Sequence, residues 1–414
     1  MARLAIHDPG RWQRRRFSSL NSPGPVNNQM RRPVLIYLVT EDWYFLSHRL
    51  PMAQAAQRAG YDVHVATRVT TRGAEIEALG FKLHPLRWRR GSINPLALLS
   101  ITRQVRAVYR RVQPDLVHHI ALQPAITGSL AAMNMNIVQL NALAGLGFTF
   151  TSRNVKARLI RPFLSALLRG LLNRPRAAVL VQNPDDGASI AALGVPSERI
   201  FLVPGSGVDT DALQPLPEPL GEVVAAFVGR LLHDKGLPTL IAAHQLLLES
   251  GDQVRLLIAG EPDPANPASI PASQLKLWAQ RPHVALLGQV SDIRDVWAAA
   301  HIAVLPSRRE GLPKSLLEAA ACGRPIVATD VPGCREIARA GENALLVPPD
   351  NAVALADAIR QLARQPQTRR QFAAAGRRLV EERFSSRQIG LQIVGLYDAL
   401  IERRPLLQAD GNAS

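Results

Sequence analysis

With 414 residues, the chain is longer than one hydrophobic core usually serves, and this length predicts two domains. A hydrophobic fraction of 47% and a mean hydropathy near zero fit a soluble globular protein. The two cysteines, Cys322 and Cys334, exclude a disulfide framework and lack the spacing of metal ligands.

The positive charge is concentrated in the first half of the chain. The formal net charge is +16, which predicts an anionic partner. Residues 1–215 carry 27 Lys and Arg against 12 Asp and Glu, whereas residues 216–414 carry 22 against 21. The two halves are therefore expected to meet different partners. Such basicity is also typical of nucleic-acid-binding proteins. An aromatic content of 5% and the absence of a recognisable nucleic-acid module argue against that function.

Residues 1–32 are polar and rich in arginine, and they lack the apolar segment of a signal peptide. We expect them to form a disordered basic tail. Met30 lies just before the first apolar run, so translation could start at Met1 or at Met30.

From residue 33 to 212, short apolar runs alternate with amphipathic stretches. This is the pattern of repeated βαβ units and predicts a doubly wound parallel sheet. A polar loop is expected at 40–48, directly after the first strand. The predicted strands are 34–39, 62–66, 81–85, 114–119, 137–140, 178–182 and 200–203. The predicted helices are 49–59, 74–79, 95–111, 125–133 and 153–172.

The predicted helix 153–172 is both basic and amphipathic, and Pro162 must kink or divide it. A basic amphipathic helix is typical of a membrane surface. An ordinary surface helix with one face in the core gives the same pattern, and the sequence leaves both interpretations open.

The second half repeats the α/β pattern after a proline-rich linker at 215–219. We predict a second domain at 213–384. A C-terminal helix and tail follow at 385–414, and the helix could pack back on the first domain. The predicted strands are 223–228, 254–259, 284–287, 302–306, 325–328 and 344–347, and the main helices are 237–249, 292–300, 352–362, 367–382 and 386–402.

Polar and small residues follow several strands of this second domain. In the segment 307–319, SRREGLPKSLLEA, Glu310 and Glu318 are separated by seven residues where a strand gives way to a helix. Arg230 and Lys235 follow an earlier strand. Two cations and a helix N-terminus can neutralise a diphosphate without a metal. The other strand-end residues are Gly229, Gly260, Glu261, Gly288 and Gly311.

This arrangement of Gly229, Arg230, Lys235, Glu310, Gly311, Glu318 and Ala319 resembles the retaining glycosyltransferases of the GT-B fold in family 4, also called glycosyltransferase group 1. The likeness is strong over residues 200–350 and looser in the first half. It implies an α/β protein of two doubly wound, Rossmann-like domains that face each other across a cleft. The N-terminal domain would bind the acceptor and the C-terminal domain the nucleotide sugar.

The resemblance also implies roles for single residues. Arg230 and Lys235 would hold the donor diphosphate, and Glu310 would bind hydroxyls of the donor sugar. Glu318 would accept hydrogen bonds from the ribose. Backbone N–H groups near Gly311 and Leu312 would lie at the phosphate, and Pro313 would complete this donor-binding turn. The family generally works without a metal or cofactor.

In the first half, the chain departs from many family members, because residues 41–49 replace their Gly-Gly pair. This form is similar to bacterial members that build glycans on a polyprenyl-diphosphate carrier. A histidine at the end of the fourth strand would lie near the reacting sugar. Of His118 and His119, we expect one to be functional and the other to be a core residue, without choosing between them. The expected acceptor-side residues are Glu41, Asp42, Trp43, His48, Asn141, Gly145 and Gly147.

The sequence therefore predicts a retaining, metal-independent transferase of a hexosyl or N-acetylhexosaminyl group, most simply from a UDP-linked donor, to a lipid-linked glycan acceptor. Its expected place is the cytoplasm, bound peripherally to the anionic inner face of a bacterial cytoplasmic membrane, with no nucleic-acid partner. A nucleotide-sugar epimerase of the same fold is the nearest alternative.

Overall fold

The structure is a computed structural model that describes residues 31–88, 94–143, 155–264 and 266–402, without the side chains of 155–161. The chain forms two compact units. Unit 1 comprises Met1–Pro204 and Gly390–Ser414, and unit 2 comprises Gly205–Ile389.

Unit 2 begins before the predicted boundary at residue 213, because the chain around Val208 is already bound to it. The backbone N–H of Val208 donates to the carbonyl of Phe384, and that of Ser386 donates to the carbonyl of Val208. The chain returns to unit 1 at Gly390, within its last helix.

Unit 1 is built on a seven-stranded sheet in the order β3-β2-β1-β4-β5-β6-β7, in which every neighbouring pair is parallel. Strands β1, β4, β5 and β6 are buried along nearly their whole length, because helices cover both faces of such a sheet. The strands are β1 Val34–Glu41, β2 Asp62–Arg68, β3 Lys82–Pro85, β4 Leu116–Ile120, β5 Val138–Ala142, β6 Ala177–Val181 and β7 Ile200–Leu202.

The helices that connect these strands include two that the sequence did not predict, at 42–48 and 184–191. Residues 40–48 were expected to be a loop, but Asp42–His48 is helical. The helices are α1 Asp42–His48, α2 Leu50–Arg58, α3 Gly73–Ala78, α4 Pro95–Val112, α5 Leu122–Ala131, α6 Val155–Leu172 and α7 Pro184–Ala191. Pro162 lies inside α6, which continues past it as one helix. A 3-10 turn, Ser197–Arg199, precedes β7.

Unit 2 is built on a six-stranded parallel sheet in the order β10-β9-β8-β11-β12-β13. Its strands are β8 Val223–Val228, β9 Val254–Ala259, β10 Val284–Gly288, β11 Ile302–Leu305, β12 Ile326–Thr329 and β13 Ala344–Val347. Its helices are α8 Leu237–Glu249, α9 Ala272–Ala279, α10 Ile293–Ala299, α11 Lys314–Ala321, α12 Pro332–Arg335, α13 Ala352–Arg364 and α14 Pro366–Arg383, and the last helix, α15 Ser386–Glu402, passes from unit 2 to unit 1.

Both sheets reverse their strand order once. In unit 1 the order reverses between β1 and β4, and in unit 2 between β8 and β11. Ligands of doubly wound sheets bind outside the carboxyl ends of the strands at such a switch point. These two positions are therefore where functional side chains should gather. Within the described residues, no helix has the length and apolar character that a membrane span requires.

Candidate functional site

In unit 2, the loops that follow β8 and β11 lie against each other at the switch point. Gly236 has φ +73°, and a Cβ there would come within 1.9 Å of the carbonyl oxygen of Pro306. Only glycine permits this approach at low cost. The N–H of Arg308 donates to the carbonyl of Asp234 at 2.9 Å, and the side chains of Arg309 and Asp234 form an ion pair. The two loops are thus joined by main-chain and side-chain contacts.

Lys235 and Glu310, predicted from separate motifs, meet across these loops. Lys235 Nζ lies 2.6 Å from Glu310 Oε1, and Ser307 Oγ donates to the same oxygen at 2.6 Å. The Glu310 side chain is 9% exposed and that of Lys235 is 22% exposed. The carboxylate is therefore fixed through one oxygen, and none of the hydrogen bonds among the described residues uses its Oε2.

Arg230 lies on the same loop but makes a different contact. Its Nη1 donates to Asp263 Oδ2 at 2.8 Å, and its side chain is nearly half exposed. The partner comes from the segment after β9. A guanidinium held at one end and open at the other can still reach an anionic ligand.

The three strand-end glycines Gly229, Gly260 and Gly288 lie side by side at the ends of β8, β9 and β10. The N–H of Gly260 donates to the carbonyl of Gly288 at 2.8 Å. A Cβ on Gly260, which has φ +137°, would come within 1.9 Å of the carbonyl oxygen of Gly229. The glycines thus permit a side-chain-free edge beside Arg230. Glu261 is exposed, and its carbonyl accepts from the N–H of Leu231.

Helix α11 begins at Lys314, so Gly311, Leu312 and Pro313 form the turn before it rather than its first turn. Gly333 of α12 supports this turn, because a Cβ on Gly333 would come within 2.5 Å of the carbonyl oxygens of Glu310 and Gly311.

Glu318 lies in the middle of α11, and its side chain is 13% exposed. Burial raises the pKa of its carboxyl above the usual 4.5, although Lys314, one turn earlier at 3.2 Å, opposes this. Glu318 therefore keeps its charge at an energetic cost that only one partly exposed lysine offsets.

A metal ion has no evident place among the described residues, where no group of three or more His, Cys, Asp or Glu side chains could hold one. The two cysteines, Cys322 and Cys334, are free and buried.

In unit 1, both histidines of the predicted pair lie in the fourth strand, as expected, and the strand ends one residue beyond them at Ile120. The two rings contact different partners. His118 Nδ1 lies 2.7 Å from the hydroxyl of Tyr397, in the C-terminal segment of the unit. His119 lies between the hydroxyl of Tyr109 at 2.9 Å and Asn141 Oδ1 at 2.8 Å.

Both histidines are fully buried. Burial, with the nearby charge of Arg49, holds the pKa of His118 well below 6.5, and burial lowers the pKa of His119 to about 4. A Cβ on Gly128 of α5 would come within 2.3 Å of His119 Nε2, so His119 is also closely covered. Both rings are neutral at neutral pH, and the catalytic role predicted for one of them would require its ring to become accessible.

The other acceptor-side residues divide into buried and accessible groups. Asp42 is fully buried and accepts hydrogen bonds from the N–H groups of Trp43, Thr70 and Arg72 and from the Thr70 hydroxyl. Burial raises the pKa of the Asp42 carboxyl, but these hydrogen bonds outweigh it and hold the pKa below 3.8. Asp42 thus joins α1 to the segment after β2.

Glu41 is almost fully buried and lies 3.4 Å from Arg68 Nη1. Asn141 is also buried, where it bonds to His119 and Ser129. Trp43 and His48 are partly accessible. Gly145 and Gly147 lie outside the described residues.

Sequence reasoning missed the groups that hold the predicted ones. Ser307, Asp234 and Asp263 are short polar side chains of a kind common in any loop. One signal was available for Ser307, because it directly follows a strand and precedes Glu310 by three residues. Tyr397 had no such signal, since it looks like an apolar-face residue of the last helix.

Each half of the chain matches the model of a known protein family. Residues 222–365 match a family model described as "Glycosyl transferases group 1", and residues 35–183 match one described as "Glycosyl transferase 4-like".

Two curated proteins are similar over most of their length. The chain is 27% identical over 381 residues to the putative glycosyltransferase EpsD of Bacillus subtilis, covering 89% of this chain and 97% of that protein. It is 26% identical over 337 residues to the N,N'-diacetylbacillosaminyl-diphospho-undecaprenol alpha-1,3-N-acetylgalactosaminyltransferase of Campylobacter jejuni, covering 76% and 87%.

Solved structures share the fold. A sucrose-phosphate synthase from Thermosynechococcus elongatus superposes with a TM-score of 0.77 at 23% identity, covering 90% of this chain and all of that one. HepE of Anabaena, solved in complex with UDP-glucose, gives a TM-score of 0.71 at 18% identity, covering 88% and 99%. These likenesses identify the architecture as GT-B, as the sequence predicted.

Proposed function

Because the chain belongs to the group 1 glycosyltransferases and has the GT-B fold, we propose that it transfers a sugar from a nucleotide-diphosphate donor to a lipid-linked glycan. Unit 2 binds the donor and unit 1 the acceptor. Configuration at the anomeric carbon is retained, and neither a metal nor a cofactor takes part.

The contact between Lys235 and Glu310 carries the donor half of this proposal. It joins a cation suited to phosphate with a carboxylate suited to sugar hydroxyls, at the switch point of a doubly wound sheet. The side-chain-free edge formed by Gly229, Gly260 and Gly288 gives a nucleotide room to lie against the backbone.

The chemistry then requires charge stabilisation more than proton transfer by the protein. The bond from the anomeric carbon to the donor diphosphate breaks, and the diphosphate leaves with the electron pair. Lys235 and Arg230 stabilise that negative charge. The acceptor oxygen forms the new bond, and its proton passes to the departing diphosphate. Glu310 holds the sugar hydroxyls through this change.

We further propose UDP as the nucleotide and a glycan on a polyprenyl diphosphate as the acceptor. A UDP-glucose complex is known for the Anabaena protein of the same fold, and the Campylobacter jejuni relative is named for a diphospho-undecaprenol substrate. Another relative, CapM of Staphylococcus aureus, is named for capsular polysaccharide biosynthesis and is 23% identical over 387 residues. The same general pathway, bacterial polysaccharide biosynthesis, is proposed for this chain.

Such an acceptor resides in a membrane, and we propose that unit 1 binds peripherally to anionic lipid. The net charge of +15 on residues 1–215 supports this placement, since clustered Lys and Arg are attracted to anionic headgroups. In liposome flotation, the chain should float with vesicles containing anionic lipid and remain behind with neutral vesicles, and high salt should release it. Equal recovery with both vesicles would contradict electrostatic binding.

Substitution of Lys235 tests the donor site. We expect Lys235→Ala to lose transfer by on the order of 100-fold or more, because a charge that stabilises the leaving group is removed. The assay incubates UDP-sugars with the chain and a lipid extract of bacterial membranes, and lipid-linked products are read by mass spectrometry.

The matched control is Lys276→Ala, because Lys276 is an exposed lysine on α9 of the same unit. Its activity should equal that of the unsubstituted chain. Full activity of Lys235→Ala would remove Lys235 from the site. An altered donor sugar formed without acceptor would instead indicate an epimerase.

A further inference from the structure

A cavity of about 520 Å³ opens at the carboxyl edge of the sheet in unit 1. It lies between the segment after β3 and the first turns of α4 and α5. The residues that define it are Arg87, Trp88, Leu98, Ile101, Gln104 and Gln123. This is the edge at which doubly wound sheets bind ligands, and the volume is within the usual range for a small-molecule site.

The lining combines apolar surface with uncharged hydrogen-bonding groups. Trp88, Leu98 and Ile101 supply the apolar surface, while Gln104 and Gln123 supply amides. Arg87 is the only charged residue among the described residues of the lining, and it is a cation. A pyranose has this same mixture of C–H faces and hydroxyl groups, whereas an anionic ligand would call for more positive charge.

One of these polar groups is available to a ligand, because the Gln123 side chain is partly exposed and makes no hydrogen bond within the described part of the chain. The Trp88 indole is only 3% exposed, and its Nε1 is buried without a hydrogen-bond partner among the described residues, so it does not open on the cavity. Gln104, in contrast, is engaged, since its Oε1 accepts from the N–H of Arg87 at 3.0 Å.

The backbone before Gln123 is strained. Ala121, between β4 and α5, has φ 79° and ψ 170°, a region that residues with a Cβ rarely adopt. Strain of this kind persists where the surroundings enforce it, often beside a ligand site. The strained residue sets the start of α5, and therefore the position of Gln123, directly at the switch point of the sheet.

We propose that this cavity binds the sugar of the acceptor, the one nearest its carrier diphosphate. The Gln123 side chain binds its hydroxyls, and Arg87 reaches the diphosphate. Leu96 and Leu99, which are 74% and 45% exposed on the same helix as the lining residues, suit the start of the lipid chain. The inference rests on the proposed transferase function and specifies which part of unit 1 recognises the acceptor.

The sharpest test introduces a large side chain at a helix position that lines the cavity. The same substitution at a position on that helix outside the cavity is the control. Ala97 lines the cavity, and Ala107 is exposed on the same helix without lining it. Ala97→Trp should raise the KM for a polyprenyl-diphosphate-linked saccharide extract by roughly 10-fold or more, as expected when a binding pocket is blocked. The KM for the donor should not change. Ala107→Trp should behave as the unsubstituted chain does, and circular dichroism establishes that both variants fold.

A smaller substitution identifies what the cavity recognises. Gln123→Ala removes the amide, so it should raise the acceptor KM several-fold while hydrolysis of the donor without acceptor is unchanged. Sugar-free polyprenyl diphosphate, added as a competitor, should inhibit the Gln123→Ala variant and the unsubstituted chain equally, because it lacks the hydroxyls in question.

The outcomes separate this inference from the proposed function. If the unsubstituted chain transfers nothing to the extract, the transferase proposal fails. If it transfers sugar and both Ala97→Trp and Gln123→Ala keep its acceptor KM, the cavity is not the acceptor site. If the substitutions raise the donor KM instead, the cavity belongs to the donor and the inference is overturned.

Discussion

The charge of Glu318, which is predicted to bind the donor ribose, lies in a place that disfavours the ionised form. It lies in the middle of a helix with little exposure, and Lys314 is its one ionic partner among the described residues. Because burial raises the pKa of its carboxyl, the folded state favours the protonated form. Residues that bind ligands often reduce stability in this way. Glu318 should therefore show opposite effects on binding and on stability when it is replaced.

We predict that Glu318→Gln weakens donor binding without lowering stability. The folded-state pKa lies above the unfolded value of about 4.5, so ionisation of Glu318 costs folding free energy once the pH rises past that value. Glutamine carries no such cost. The melting temperature of Glu318→Gln should equal that of the unsubstituted chain near pH 4 and exceed it, or at least match it, at pH 7.

The measurement is thermal unfolding from pH 4 to pH 8, paired with UDP binding by calorimetry. Glu249→Gln is a suitable control, because Glu249 is an exposed residue of the same unit and should alter neither quantity. A Glu318→Gln variant that is less stable at pH 7 than at pH 4, relative to the unsubstituted chain, would show that Lys314 stabilises the charge more than burial opposes it.

At the scale of single residues, the sequence predicted which charges meet but not what fixes them. Lys235 and Glu310 follow two strands of one parallel sheet. The carboxyl ends of parallel strands lie at the same edge of the sheet, so the two side chains were expected to lie close together. The hydrogen bond from Ser307 and the ion pair of Asp234 with Arg309 depend on loop geometry, which has no periodic pattern in sequence. The histidine pair was predicted to end a strand at residue 119, and the strand ends one residue later, at Ile120.

At the scale of elements, the strands were the most predictable part. All thirteen predicted strands are present within two residues of their expected ends, because strands buried on both faces read as continuous apolar runs. The short helices at 42–48, 184–191, 272–279 and 332–335 were not predicted. They have too few turns for a helical repeat to stand out from loop composition.

The helix at 42–48 illustrates why local pattern was insufficient there. Its first residue, Asp42, accepts hydrogen bonds from Thr70 and Arg72, which come from a different connection in the sheet. The helix is therefore held by a tertiary contact between two loops, and an acidic residue after a strand gives no sign of which distant N–H groups it will bind. The order of the strands in each sheet could not be predicted either, because an apolar run does not indicate which strands it will pair with.

At the scale of the whole molecule, the chain ends by completing the unit in which it began. Tyr397, in the returning segment Gly390–Ser414, is fully buried in unit 1. Its hydroxyl lies 2.8 Å from that of Tyr37 on β1 and 2.7 Å from His118 Nδ1 on β4. Nearby, Tyr61 donates to Asp398 at 2.6 Å. The central strands of unit 1 thus depend on residues from the far end of the sequence.

This dependence predicts a local effect of Tyr397→Phe. The substitution removes one hydroxyl but leaves the Tyr37 hydroxyl and the His118 ring without a shared partner in a buried place, which should cost on the order of 2 kcal/mol. Hydrogen exchange measured by mass spectrometry should become faster in β1 and β4 and stay unchanged in β8 and β11. Tyr44→Phe is the control, since the Tyr44 hydroxyl makes no hydrogen bond with the described residues. Faster exchange throughout both units would mean instead that they unfold as one cooperative body, and unchanged exchange in β1 and β4 would show that the hydroxyl contributes nothing to unit 1.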